Sequence, residues 1–152
     1  MRDAPSSGAG PDEDGAPEAT TEPTELTEQQ IAFLNGVFDL ARDGAATRIS
    51  GLLDRGLPVN LTDSKGDTLL ILAAYHEHTD LVRVLLEHGA DTTRLNARGQ
   101  TALVAAVFRS ATLIVTDLIR VGADPELGSP NARSVAEYFG LTEMAALLAS
   151  RA

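Results

Sequence analysis

The residues best suited to chemistry in this 152-residue chain cluster at His76-Glu77-His78, with Asp80 close behind. Imidazoles beside a carboxylate are the donor set of a zinc site. Two histidines one residue apart at a helix end are expected to point in divergent directions, however, and no third strong ligand stands near them. Cysteine is absent, which excludes a thiolate metal site, a disulfide framework and a cysteine nucleophile together. Asp63-Ser64 is the nearest approach to a nucleophile with its activator, but it falls in a turn with no histidine at a spacing that assigns it a role. Neither a G-x-S-x-G elbow nor a G-x-x-x-x-G-K-[ST] phosphate loop occurs. The carboxylates fall mainly on turns and on solvent faces of predicted helices, so they read as dispersed surface charge and not as acid and base pairs. His88, just before Gly89, suits a helix C-terminus, where a cation opposes the helix dipole. No enzyme, metal or cofactor is implied.

The elements that carry these residues are set by composition and periodicity. The apolar share is 43% but aromatic residues are only 4% and tryptophan is absent, so Leu, Val, Ile and Ala must fill the interior. Close packing of small helices follows. The formal charge of −10 is unevenly spread: residues 1 to 28 hold eight acids against Arg2, and the remaining 11 bases and 14 acids leave the body near neutral. A nucleic-acid partner needs a clustered Lys/Arg stripe, which the chain lacks. Residues 1 to 26 are built from Pro, Gly, Ser, Thr, Ala and acids, with no large apolar residue between Met1 and Leu26. Such a segment cannot offset its own ordering entropy, and a disordered acidic tail is expected. Met1 to Gly15 has no apolar run suited to a Sec-type signal, and no later stretch is long enough to span a membrane. The expectation is a soluble, cytoplasmic protein. From Thr27 order begins: Thr27 and Gln30 have capping-box spacing, and Ile31, Leu34, Phe38 and Ala41 recur at helical intervals, so a helix is expected over 28 to 43.

The decisive pattern is internal repetition. A shift of 33 carries Lys65-Gly66-Asp67-Thr68-Leu69-Leu70 onto Arg98-Gly99-Gln100-Thr101-Ala102-Leu103 and Ala73 onto Ala106. The same shift carries Leu85, Gly89, Ala90 and Asp91 onto Leu118, Gly122, Ala123 and Asp124, and Leu52, Leu53 and Gly56 onto Leu85, Leu86 and Gly89. Gly66 and Gly99 stand where a tight turn precedes a helix capped by Thr68 or Thr101, and Gly56, Gly89 and Gly122 stand where a left-handed residue ends one. Each unit reads as turn, short helix, turn, longer helix. In the longer helices Ile49, Leu52 and Leu53 line up with Val82, Leu85 and Leu86 and with Val115, Leu118 and Ile119, a stripe one unit cannot bury alone.

The segment GDTLLILAAYHEHTDLVRVLLEHGAD, residues 66 to 91, resembles an ankyrin repeat nearly end to end. The phrase NLTDSKGDTLLILAAYHEH most resembles small bacterial ankyrin proteins, and arginine's excess over the single lysine, Lys65, fits a GC-rich genome. The resemblance implies an all-α ankyrin-repeat solenoid of about four helix-turn-helix units, with short turn or β-hairpin tips. The units are placed at 30 to 62, 63 to 95, 96 to 128 and 129 to 150, within a domain spanning 27 to 152. Departures from the family pattern are specific. Thr-Pro-Leu-His is replaced by Thr68-Leu69-Leu70-Ile71 and Thr101-Ala102-Leu103-Val104, so apolar packing must take over from a hydrogen-bond network. The glycine between the helices is Glu77 and Ser110 in the central units, while Gly44 and Gly140 keep it at the ends. The last unit is about three residues short. His78 falls where such repeats commonly carry a histidine after the inter-helix turn.

What the resemblance implies for function is a concave strip of turn tips and first-helix faces that binds a protein partner. Carried over by position, the strip holds Thr62, Ser64, Lys65, Asp67, Tyr75 and His76 in the second unit. It continues through Leu95, Ala97, Arg98, Gln100, Phe108 and Arg109 in the third, with Arg42 and Asp43 at the matching helix positions in the first. Tyr75, Phe108 and Arg109 are of the types that dominate interface energetics; Phe108 has the alternative of folding back over its own helix as peripheral core. The rival functional reading makes residues 1 to 26 an acidic inhibitor of a basic partner with the repeats as anchor. Polar caps at both ends favour a monomer.

Overall fold

The computed structural model describes residues 25–150. The expected acidic tail therefore lies outside the described residues, apart from Glu25 and Leu26. Eight α-helices follow one another: α1 (Glu28–Asp43), α2 (Ala46–Asp54), α3 (Leu69–Tyr75), α4 (Thr79–Glu87), α5 (Ala102–Phe108), α6 (Thr112–Arg120), α7 (Ala132–Tyr138) and α8 (Thr142–Ala149). The packed body runs from Leu34 onward, and α1 begins in a separate unit that ends at Phe33.

Helix starts are set by side-chain caps. Thr27 and Gln30 bond each other's backbone N–H reciprocally, at 2.8 and 3.0 Å, completing the capping box at the start of α1. Thr68 and Thr101 accept from the N–H groups of Ile71 and Val104 at 3.0 and 3.1 Å, and Asn131 does the same for Ser134 at 2.8 Å. The longer helices stop at glycines. Gly56, Gly89 and Gly122 are left-handed, and each sits in a paired return of N–H groups onto carbonyls of the last turn, as in Gly89 to Leu86 and Ala90 to Leu85.

Packing runs between neighbours. α3, α5 and α7 stack in one layer, α2, α4, α6 and α8 in a second, and within a unit α3 lies on α4, α5 on α6 and α7 on α8. The first-helix layer is apolar nearly all round: Leu69 through Ala74 and Ala102 through Val107 are buried. Leu69 and Ile71, with Ala102 and Val104, fill the positions where the family pattern has proline and histidine, so apolar packing does replace that network. In the second layer Ile49, Leu53, Val82, Leu85, Val115 and Leu118 are buried. Leu52, Leu86 and Ile119, expected on the same stripe, are only half-buried at its margin.

The inter-helix turns keep their geometry without glycine. Glu77 (φ 62) and Ser110 (φ 54) adopt the same left-handed conformation as Gly44 (φ 76) and Gly140 (φ 65). They make the same paired bonds, Glu77 N–H to Ala74 and His78 N–H to Ala73, Ser110 N–H to Val107 and Ala111 N–H to Ala106. The turns thus keep the glycine geometry under strain, at about 1–2 kcal/mol each for a Cβ in this region. The shortening of the last unit falls before α7, because the stretch from Gly122 to the Asn131 cap is shorter than that from Gly89 to the Thr101 cap.

Two stability outcomes follow from this packing. Leu85→Ala empties a fully buried position of the second layer and should cost roughly 2–5 kcal/mol in urea unfolding; a cost below about 1 kcal/mol would mean that the stack does not depend on this side chain. Ser110→Gly, at an exposed site, should raise stability by about 0.5–1 kcal/mol by relieving the left-handed strain, less the extra entropy of glycine.

Candidate functional site

The tips come first, because they carry half of the proposed strip. In the second tip the Asp63 carboxylate accepts the backbone N–H groups of Lys65 and Asp67 at 2.9 and 3.0 Å. In the third, the Asn96 side-chain oxygen accepts those of Arg98 and Gln100 at 2.9 and 3.0 Å. These side-chain turns mimic backbone turns and hold the tips in one conformation. An isolated antiparallel bridge, Thr62 with Thr68, closes the second tip as the expected minimal hairpin. Adjacent tips are joined along the stack: Ala97 N–H donates to the Lys65 carbonyl at 2.9 Å, and Ser129 N–H to the Gly99 carbonyl at 3.1 Å.

Asp67 departs from its expected role. Its side chain is buried and accepts from the Asn96 amide at 2.8 Å, which ties one tip to the next instead of offering a contact to solvent. Gln100 is half-buried and accepts from the same amide at 3.1 Å and from Arg98 Nε at 3.3 Å. Ser64, Lys65, Ala97 and Arg98 are exposed at the tips, and Arg42, Asp43, Tyr75, His76, Phe108 and Arg109 at the first-helix ends.

A cleft of about 250 Å³ runs between the tips and α3, with Arg42, Lys65, Tyr75, His76 and Arg98 at its rim and Asp63, Asp67, Asn96 and Gln100 among its lining. It therefore joins residues that the sequence reading placed separately on tips and helices. Beside it lies a row of aromatic side chains. With the turn residues Gly44, Glu77, Ser110 and Gly140 in register, Arg42, Tyr75, Phe108 and Tyr138 occupy one position, and Asp43, His76, Arg109 and Phe139 the next. Arg109 is clamped: Nε and Nη2 bond Glu77 Oε2 at 3.1 and 2.9 Å, and its guanidinium carbon lies 5.2 Å from the Tyr75 ring centre. Exposed pairs of this kind add little to stability. Their larger consequence is that two flexible side chains are held in place before anything binds.

Phe108 stays at the surface and does not fold back over its own helix as core. It is 47% exposed and sits edge-on to Phe139, with ring centres 5.7 Å apart. Phe139 in turn meets Tyr138 at 4.9 Å, and Tyr138 is 83% exposed. Tyr138 and Phe139 escaped the sequence reading, although counting back from Gly140 places them in register. They also make the last helix pair less polar than an expected cap. Asp117 escaped it too: it is buried in the second helix layer, bonded by Arg83 at 2.8 Å and Arg120 at 2.9 Å.

The histidines have structural partners. His78 Nε2 donates to the Arg42 carbonyl at 2.6 Å, and its ring covers Gly44 so closely that a Cβ there has no room. The rings of His76 and His78 do not diverge as expected; they stack, with centres 6.3 Å apart. Among the described residues no three His, Cys, Asp or Glu side chains converge as a metal site would require. His88 bonds the Val84 carbonyl at 2.9 Å through Nδ1 and Asp54 at 3.0 Å through Nε2. The bond to Asp54, then that to Val84, raises its pKa above the ordinary 6.5. Burial, with the neighbouring His78, Arg42 and Arg109, lowers that of His76.

The sign of each shift sets its pH window. A raised histidine contributes stability that is full below about pH 6.5 and fades as pH rises through the folded value; a lowered one withdraws stability as pH falls through 6.5. NMR titration should place the His88 midpoint above 6.5 and that of His76 below it, and Asp54→Asn should bring His88 down. A His88 midpoint unmoved by that change would remove Asp54 as the cause.

Comparison with known proteins adds two findings. The family model described as ankyrin repeats in three copies matches residues 38–129. A Pseudomonas aeruginosa protein described as an ankyrin repeat protein, PA3287, is 50% identical over 60 residues, covering 40% of this chain and 35% of that protein. The match thus spans about a third of the relative's length. No helix among the described residues is long and apolar enough to cross a membrane. Because the family match runs through most of the helix pairs and over more than half of the sequence, the chain belongs to the ankyrin-repeat family.

Proposed function

We propose that this chain is a non-catalytic scaffold that binds a protein partner on its concave side, through the tips and first-helix ends, and so stabilises or modulates that partner. Ankyrin repeats are in general protein interaction modules, and the reading for this chain adds a surface and its anchors. The observation that supports it is the register of exposed aromatic side chains, Tyr75, Phe108 and Tyr138, each at the last position of its helix and braced by Arg109 or Phe139. Exposed, contiguous aromatic side chains mark interaction surfaces in soluble proteins. Tyrosine and arginine are common binding anchors. Anchors immobilised before contact lose less entropy on binding, so the same contacts yield more affinity. The contact residues are Arg42, Asp43, Ser64, Lys65, Tyr75, His76, Ala97, Arg98, Phe108 and Arg109, with Asp67 and Gln100 as the supports beneath them. A soluble, cytoplasmic monomer is the setting this reading assumes.

Affinity capture from the source cells tests it. Tyr75→Ala with Phe108→Ala should reduce recovery of a specific partner by at least about tenfold at unchanged helix content, since two interface anchors are each worth ~1 kcal/mol or more. Equal capture by wild type and double variant would remove this surface from the account. Capture lost only on deletion of residues 1–26 would favour the acidic segment as the binding element instead.

A further inference from the structure

The cleft between the tips and α3 has an imbalance of hydrogen-bonding groups that points to the chemistry of its ligand. Most of its acceptors are already taken. Asp63 Oδ1 accepts two backbone N–H groups and Oδ2 faces Arg42 at 3.4 Å. Asn96 Oδ1 accepts two more, Gln100 Oε1 accepts from Asn96 and Arg98, and Asp67 is buried against Asn96. Even the Lys65 carbonyl is used, by Ala97 N–H.

The donors are not. Among the described residues Lys65 and Arg98, like Arg48 and Arg55 outside the cleft, have no carboxylate within ion-pair distance, unlike Arg42, Arg83, Arg94, Arg109, Arg120 and Arg133. Arg98 spends only Nε, at 3.3 Å on Gln100, and its two terminal nitrogens have no partner among the described residues. These two cations stand at matching positions of adjacent tips, and the tips are tied to each other by backbone and side-chain bonds. Their side chains do not hold the fold: the tip bonds of both residues are made by backbone groups, apart from that one Nε contact.

We infer that the cleft receives a carboxylate from an acidic peptide segment of the partner, bridged between the Lys65 ammonium and the Arg98 guanidinium. This rests on the scaffold reading and gives its partner a chemical class. A carboxylate supplies two oxygens, enough to satisfy both cations at once in charge-assisted bonds. A polyanionic nucleic acid is disfavoured, because a chain with a net charge of −10 repels it at long range and offers few cations to follow its backbone. A short acidic peptide carries fewer charges and meets the cleft locally, and an apolar residue next to the acid finds Tyr75 beside it.

The test uses the full chain labelled with nitrogen-15 and three probes: a capped Asp-Glu-Phe-Glu-Asp peptide, its Asn-Gln-Phe-Gln-Asn counterpart and a short oligothymidylate. The acidic peptide should produce saturable amide shifts at Lys65, Ala97 and Arg98. The amide peptide should bind at least about tenfold more weakly, and added salt should weaken the acidic peptide alone. Lys65→Gln with Arg98→Gln should remove the shifts while leaving helix content and the shifts of the α4 and α6 amides unchanged. Equal binding of the two peptides, tighter binding of the oligonucleotide, or no saturable shift with the acidic peptide would each overturn the inference. Should Lys65→Gln with Arg98→Gln leave partner capture intact while Tyr75→Ala with Phe108→Ala abolishes it, the scaffold reading survives and the carboxylate assignment falls.

Discussion

A single helix pair of this chain has more apolar surface than it can hide, and every other feature answers to that constraint. Six consecutive residues of α3 and six of α5 are buried, which no helix achieves against one neighbour alone. The surface is removed from water only when units lie side by side, so stability accumulates along the stack and not around a centre. Buried alanines, among them Ala73, Ala74, Ala105, Ala106 and Ala136, let the first helices approach closely.

Once the stack is fixed, its polar edge is fixed with it. The tips are held by side chains that imitate backbone turns, and they are linked to one another by backbone bonds, so each tip is positioned by the next. The inter-helix turns are held firmly enough that Glu77 and Ser110 tolerate a left-handed conformation normally left to glycine. At Glu77 the strained residue has a second role: its carboxylate grips Arg109 of the neighbouring unit. Strain in the backbone and order in the recognition row therefore meet at one residue. The result is a surface whose anchors and free donors are set before any partner arrives, which limits the entropy lost on binding.

Legibility divided along the same lines. The capping box at Thr27 and Gln30, the threonine caps and the glycine stops were readable because each depends on residues within one helical turn. The three missing residues of the last unit were countable from Gly140, although their place before Asn131 was not. Asp67 was misread as a surface contact because its burial depends on Asn96, a full repeat away. Phe108 could not be assigned between core and surface from its own helix, since the deciding neighbour is Phe139 in the next unit. Asp117 gave no signal at all: nothing local distinguishes a carboxylate that two arginines will enclose from one that stays in water.

By itself, then, the sequence determined the period, the helix pairs, the caps and the family, because repetition and capping are local patterns written out several times. Only the tertiary structure decided which residues face one another: Arg109 over Tyr75, Phe108 against Phe139, Asn96 across to Asp67, and two cations without a carboxylate partner among the described residues, beside a cleft most of whose acceptors are spent. Those relations join residues about one repeat apart, and their distances depend on how closely neighbouring helices pack, a quantity set by the buried side chains of both units and carried by no single segment of the chain.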